Sequence, residues 1–258
     1  MRLRSDNHDI TVTAGNLTWT NTIAELATKM SFELPKIDAQ YTKIYLPGVG
    51  SAVGLDMGPL GRVFQGTVVA LDDGDKNVNK YTVVDDGWHL NKDKFDIQFN
   101  SMALTDAIRA VEPRIDTIIG VEGAVTEVYL DKTKAEVLKD LLEKAREQTG
   151  YAFNFDMTPR GLRVYRLGDL HARPTFRLSP NTEWRDSVAH RGDVSHSYSI
   201  EDAPKETYSF TLIDDMDSYI RAGEELVVDG TTFIIQSAEH SVKDGWHFVK
   251  VGVERAHG

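Results

Sequence analysis

The sequence predicts a mainly β protein with an α+β middle, on three observations. Leu26, Thr28, Met30, Phe32 and Leu34 fall on every second position before Pro35, the period of a half-buried strand. The tail reads as a meander: residues 225–228, the turn Asp229-Gly230, residues 231–242, the turn Asp244-Gly245, then residues 246–253. Between these β regions lies one clearly punctuated helix. Thr133 and Glu136 have capping-box spacing, Leu138, Leu141, Leu142 and Ala145 make an apolar stripe, and Gly150 supplies the stop.

The remaining elements follow in chain order. Residues 10–13 alternate, Gly15-Asn16 interrupts, and residues 17–20 resume the alternation. Thr22 and Glu25 also have capping-box spacing, but no helical stripe follows them, so the alternation that begins at Leu26 prevails. Residues 43–46 and 62–71 are further strands, and residues 47–61 form a glycine-rich loop too long for a simple hairpin. Residues 72–77 make a turn, and the strand at 81–84 is closed by Asp85-Asp86-Gly87. Residues 101–111 place Leu104, Ile108 and Val111 on one helical face, stopped by Pro113. A strand at 124–130 precedes the punctuated helix. Residues 151–155 and 162–167 then flank Thr158-Pro159-Arg160-Gly161 as a hairpin. The organisation is a β segment at 1–75, a mixed α+β region at 76–172, and a second β segment at 173–258.

Composition excludes whole classes of function. The 258 residues include no cysteine, so disulfide frameworks, zinc ribbons, iron–sulfur clusters and thiol nucleophiles are ruled out. Forty acidic against 29 basic side chains, a formal charge of -11, argues against a protein that grips phosphate backbones. Residues 1–9 lack the apolar stretch of a signal peptide, and no run is long and apolar enough for a membrane helix.

Candidate chemical motifs fail on spacing. Gly48, Gly50 and Gly54 miss the dinucleotide fingerprint by one residue, and Gly58-Pro59 stands where a helix should begin. Asp73, Asp75 and Asn77 start like a calcium loop, but Val78 and Val84 occupy its Gly and Glu positions. There is no nucleophile elbow, no separable carboxylate pair and no His-Glu-x-x-His, and Arg191-Gly192-Asp193 matches an adhesion tripeptide by chance. His190 and His196 lie on a segment without a helical stripe. For His240 and His247, a two-residue turn at Asp244-Gly245 puts the rings on one face within reach of each other. A three-residue turn puts them on opposite faces. With no third ligand, they read as two polar rings on the outer wall of a sheet. No catalytic, cofactor or metal residue is assigned.

Several short motifs stand in order along the chain: Thr18-Trp19, then Phe32 to Pro35, Phe64-Gln65-Gly66, and Asp86 with Trp88, Leu90, Asn91 and Lys92. Together they resemble the baseplate hub proteins of contractile phage tails and phage-tail-like bacteriocins of the Gram-positive prophage type. The spaced histidines His240 and His247 among the closing strands belong to the same pattern, while His89 stands where the family commonly has Tyr. The resemblance implies two tail-tube-like antiparallel β-barrel domains plus a small helix-containing α+β domain. It implies a homotrimeric, pseudo-sixfold ring joining a hexameric tail tube protein to a trimeric central spike protein, beside other baseplate and tape-measure proteins. Such a part is assembled in the bacterial cytoplasm and resides in the virion or particle, with no cofactor. Gly48, Gly50, Ser51, Gly54, Met57 and Pro59 become a candidate inter-ring contact loop. DNA or tape measure would pass through without specific binding, and inward-facing acid would repel it. Solubility is the competing account of the charge. The alternatives in function are a tail-associated cell-wall hydrolase and a carbohydrate-binding module, the latter drawing on Trp88, Trp184 and Trp246.

Overall fold

A computed structural model describes residues 1–36, 44–169, 190–191, 195–197, 205–214, 219–228, 230–243 and 246–255. The chain runs β1 (Arg2–Ser5), β2 (His8–Asp9), β3 (Gly15–Thr22), β4 (Lys29–Pro35), β5 (Ala52–Asp56), β6 (Arg62–Asp72), β7 (Val78–Asp85) and β8 (Lys94–Ala103). It continues through α1 (Leu104–Val111), β9 (Ile115–Ile118), β10 (Ala124–Thr133), α2 (Lys134–Thr149), β11 (Phe153–Thr158) and β12 (Gly161–Arg166). It closes with β13 (His190–Arg191), β14 (Ser195–Ser197), β15 (Lys205–Asp214), β16 (Glu225–Val228), β17 (Thr231–Lys243) and β18 (Trp246–Arg255). The predicted class, mainly β with an α+β middle, is the observed one.

Among the described residues, thirteen strands share one antiparallel sheet that curls into a half-barrel. Its order is β13-β15-β18-β17-β3-β4-β7-β6-β5-β1-β2, with β14 on β15 and β16 on β17. The early and late strands therefore meet at one seam, β3 against β17. Each side of the seam has its own core. On the early side Met30, Phe32 and Leu34 point inward from β4, as their spacing requires, and Phe32 stacks on Tyr81 of β7 at 5.0 Å. The intervening positions face outward, where the Thr18 and Ser31 hydroxyls meet at 2.8 Å. On the late side Phe210, Leu212, Leu226, Ile235, Val249 and Val251 form a second cluster.

The middle region builds a third core. Leu138, Leu141, Leu142 and Ala145 of α2 pack with Phe99, Val125, Phe155 and Val164, from a two-stranded sheet (β8, β10) and a three-stranded one (β11-β12-β9). The capping box closes as predicted: the Glu136 amide donates to Thr133 Oγ1 at 3.2 Å, and the Thr133 amide to Glu136 Oε2 at 2.8 Å. Gly150 ends the helix at φ 78, the left-handed conformation that suits glycine.

Local chemistry moved several boundaries. Residues 11–13 turn rather than extend, because Asp9 Oδ1 accepts from both the Thr11 amide and its hydroxyl. The strand alternation begins at Lys29, not Leu26. Leu26 instead packs against the middle core, and Thr28 is tied down by its amide donating to Asp85 Oδ2 at 2.9 Å. The Thr22–Glu25 spacing forms half a box, the Glu25 amide donating to Thr22 Oγ1 at 3.0 Å, with no helix behind it. Residues 44–46 are irregular, while Lys43 lies outside the described residues. Helix α1 begins at Leu104, because β8 runs on through residues 101–103.

The largest correction concerns the glycine-rich stretch. It is not one long loop: β5 occupies its centre, pairs with both β1 and β6, and buries Val53 and Leu55, with Met57 buried just beyond it. Gly54 is part of that strand, opposite Arg4 and Gln65, and the Arg62 guanidinium lies over it where a Cβ would be. The boundary between residues 172 and 173, Trp184, and the turn residues Asp229, Asp244 and Gly245 lie outside the described residues.

Two substitutions test how this framework is held. Removing the cap with Thr133→Ala should lower unfolding free energy by about 1 kcal/mol. Emptying the middle core with Leu138→Ala should cost about 2–5 kcal/mol. Urea melts followed by far-UV circular dichroism read both.

Candidate functional site

The seam between β3 and β17 concentrates the chain's unusual side chains. Alternation along β3 sends Leu17, Trp19 and Asn21 inward, and the register with β17 sets Trp19 opposite His240. Across the tail hairpin Lys243 pairs with Trp246, so His240 faces Val249 and His247 faces Val242. Both imidazoles consequently lie on one face. Nδ1 of His240 is 3.0 Å from Nε2 of His247.

The rings form a stack. Trp19 lies 4.8 Å from His240 and 5.3 Å from His247, centroid to centroid, and Tyr219 covers His240 at 4.9 Å. Trp19 Nε1 donates to the Tyr219 hydroxyl at 2.8 Å. Trp19 and His247 are 1% exposed and His240 0%. The two histidines are thus core residues, not polar rings on an outer wall. His247 shares its parity with Val249, Val251 and Val253, and His240 shares its own with Ala238 and Val242, so the strand pattern already carried the signal. What it lacked was the neighbour: β3 is distant in sequence and brings Trp19 over the pair. Burial, reinforced by His247, holds His240 well below the ordinary histidine value. Burial alone brings His247 down to about 4 and pushes the Tyr219 hydroxyl up to about 12. Both rings are neutral at physiological pH.

A charged layer borders the stack. Arg163 of β12 grips Asp156 of β11 through two bonds, at 2.8 and 2.6 Å, and reaches Glu224 at 3.4 Å. The segment 219–224 ties the regions together. Arg221 donates its amide to Glu224 Oε2 at 2.9 Å and its Nη2 to the Val63 carbonyl at 3.1 Å, and its guanidinium lies over Tyr219 at 4.6 Å. The Ala222 amide donates to Asn21 Oδ1 at 3.1 Å, and the Tyr165 hydroxyl donates to the Ala222 carbonyl at 3.3 Å. An open cleft of about 590 Å³ lies at this junction, lined by Arg62, Asp116, Arg160 and Arg221 among others. Arg62 has Asp56 at 2.6 Å, Arg160 has Asp116 at 3.1 Å, and Arg221 has Asp156 at 3.7 Å. Charge in the cleft is internally matched, so it offers no strong pull on an anion. Among the described residues no cluster of three His, Asp or Glu is arranged for a metal.

The other sequence-predicted positions fall in three places. Phe64 is buried in the early core, and Gly66 beside it is required because a Cβ would strike the Val84 carbonyl. Asp86, Trp88, Leu90 and Asn91 form a 3-10 turn with Lys92 at its end. Leu90 enters the middle core, Lys92 Nζ sits 3.7 Å over the Trp88 ring, and Asp86 binds Arg114 at 2.6 Å. Its cap, Asp85, was not singled out. It accepts from the Gly87 and Thr28 amides at 2.9 Å each, and burial pushes its carboxyl up to about 7. The contact-loop residues do not stay together. Gly48, Gly50 and Ser51 lie at one end of β5 and Pro59 at the other, while Gly54 and Met57 are buried between them. Exposed Trp246 and partly exposed Trp88 occupy a hairpin tip and the 3-10 turn rather than one sheet face.

This architecture is that of phage-type tail proteins. The 43 kDa tail protein of prophage MuSo2 from Shewanella oneidensis superposes with a TM-score of 0.71 at 14% identity, covering 98% of this chain and 97% of that one. A tail protein from Neisseria meningitidis MC58 gives 0.70 at 11% identity, covering 98% and 95%. The E. coli c3393 protein gives 0.61 at 10% identity, covering 100% and 77%; it is a type VI secretion component described as structurally similar to the T4 tail proteins gp27 and gp5. No curated protein matches by sequence. Residues 17–204 match the YQBQ-like family, and the chain belongs to it.

The seam makes two predictions. Arg163→Met removes the guanidinium shared by half-buried Asp156 and buried Glu224, which keep only their Arg221 contacts, and should cost about 2–3 kcal/mol in a denaturant melt. Trp19→Phe keeps the stack but removes the bond to Tyr219, so the loss should be about 1 kcal/mol.

Proposed function

We propose that the chain is a structural baseplate hub of a contractile tail or injection device. The observation that carries this reading is the single curled sheet with one core on each side of the β3–β17 seam. Each subunit then offers two wall segments, one from residues 1–75 with β7 and one from 173–258, with the helix-containing middle outside. Three subunits supply six wall segments, which matches a hexameric tube protein on one side, while the threefold matches a trimeric spike on the other. Closure in a ring also covers the outer strands of an open sheet. The role is structural rather than enzymatic, consistent with a fold shared with tail proteins at nearly full length.

Inter-ring contact then falls to the exposed turn at Gly48, Val49 and Gly50 and the separate turn at Gly58 and Pro59. Five residues of β5 hold these turns apart by about 17 Å. In this reading the net charge of -11 keeps passing DNA or tape measure from adhering to the channel.

Light scattering tests the assembly: three times 28.9 kDa, alone or with tube and spike proteins present, is expected. A chain that stays monomeric with both partners present contradicts the hub. Val49→Asp should leave that mass unchanged and abolish co-sedimentation with assembled tube. Normal docking of the variant would remove this turn from the interface.

A further inference from the structure

We propose that residues 8–11 are an edge guard: they occupy the main-chain positions on β1 to which an extended strand of a second copy would otherwise add. The inference rests on the geometry of the early sheet edge and does not depend on the assembly role. β1 pairs with β5 through all four of its residues, which leaves its other side to face a neighbour. By alternation the amides and carbonyls of Leu3 and Ser5 point to that side. Left unpaired, such a row is a template for another strand. Here it is filled from within the chain. Ser5 pairs with His8 of β2. Leu3, just beyond the two pairs that β2 makes, donates its amide to Thr11 Oγ1 at 2.7 Å and accepts at its carbonyl from the Ile10 amide at 3.0 Å.

The guard is held by a carboxylate at one point and by burial at another. The Thr11 hydroxyl, which receives the Leu3 amide, has one proton to give. Asp9 Oδ1 takes it at 2.6 Å in preference to the Leu3 carbonyl at 3.3 Å. A relay therefore runs from the Leu3 amide through the hydroxyl to a charged acceptor, which strengthens each link. Asp9 also accepts from the Thr11 amide at 3.1 Å and faces Arg2 at 3.1 Å. Ile10 is 2% exposed and joins the early core, which fixes the segment from beneath. Behind it the Ala14 amide and the Thr13 hydroxyl both donate to the Ile10 carbonyl, at 2.9 and 3.1 Å, so the chain bends away from the edge.

The sheet edge consequently ends in a stub. β2 is two residues long, too short to template a strand in its turn, and residues 11–13 turn. A neighbour on this side meets side chain rather than backbone, with Val12 79% exposed in the middle of the bend. Contact here is made by side-chain packing, and a second sheet is not hydrogen-bonded onto β1 while the guard is in place.

The experiment uses the full chain. In the wild type the Leu3 amide should exchange slowly with deuterium, read by NMR, although it lies in an outer strand. Thr11→Val keeps the shape and removes the hydroxyl, and should speed that exchange by about tenfold, whereas Thr11→Ser should keep it slow. Asp9→Ala combined with Thr11→Val removes relay and anchor together. That double variant should keep its far-UV circular dichroism and reach at least about twice the wild-type mass by light scattering, rising with concentration. A wild-type Leu3 amide that exchanges freely, or a folded double variant that keeps the wild-type mass, overturns the guard. If the double variant does not fold, the same mass measurement on Thr11→Val decides. Growth beyond the wild-type mass with Thr11→Ser unchanged supports the proposal, and equal masses for all three chains refute it.

Discussion

The packing of Trp19 against the His240–His247 pair is the interaction on which the rest of the structure depends. It occupies the one place where strands from the two ends of the described chain share hydrogen bonds. An indole and two imidazoles present broad flat faces. Stacked between β3, β17 and β18, they fill a gap that aliphatic side chains would leave uneven. Inside the stack, one nitrogen of each imidazole is matched by the His–His bond and the indole nitrogen by its bond to Tyr219. A buried polar group that lost such a partner would cost more than its bond contributes, so this arrangement specifies register as well as joining strands.

Around the stack, charges serve a positional purpose. Arg163 with Asp156 and Glu224, and Arg221 reaching the Val63 carbonyl, fasten the α+β region to both halves of the sheet. Desolvation takes back much of what such pairs contribute, so their value lies in orientation: misdocked regions would leave arginine or carboxylate buried alone. The same matching makes the adjoining cleft electrically quiet despite its four arginines. Among the described residues, exposed turns such as Asp72 to Asp75 concentrate acid.

Most elements were legible where local chemistry and burial agree. The α2 cap, stripe and stop are contained in residues 133–150, whereas the tail turn allowed two registers from sequence and the pairing of Lys243 with Trp246 chose the two-residue one. Elements were misread where a local preference lost to a distant partner or masked one. Glycines at 48–61 suggested a loop, although Val53, Leu55 and Met57 alternated within it; β1 and β6 supplied the pairing partners that make it a strand. Leu26 alternates with β4 by spacing alone, yet the middle core takes it.

By itself the sequence determined the class, the α2 punctuation and the exclusion of thiol chemistry, because each depends on residues near one another or on composition. Only the tertiary structure decided that the two β segments are one sheet and that His240 and His247 are core residues. It also decided that the supposed contact loop is two turns on either side of a strand. The physical reason is common to all three. Burial is a property of what arrives from elsewhere in the chain, and neither Trp19 over His240 nor Tyr219 beside it can be read from the neighbours of residue 240.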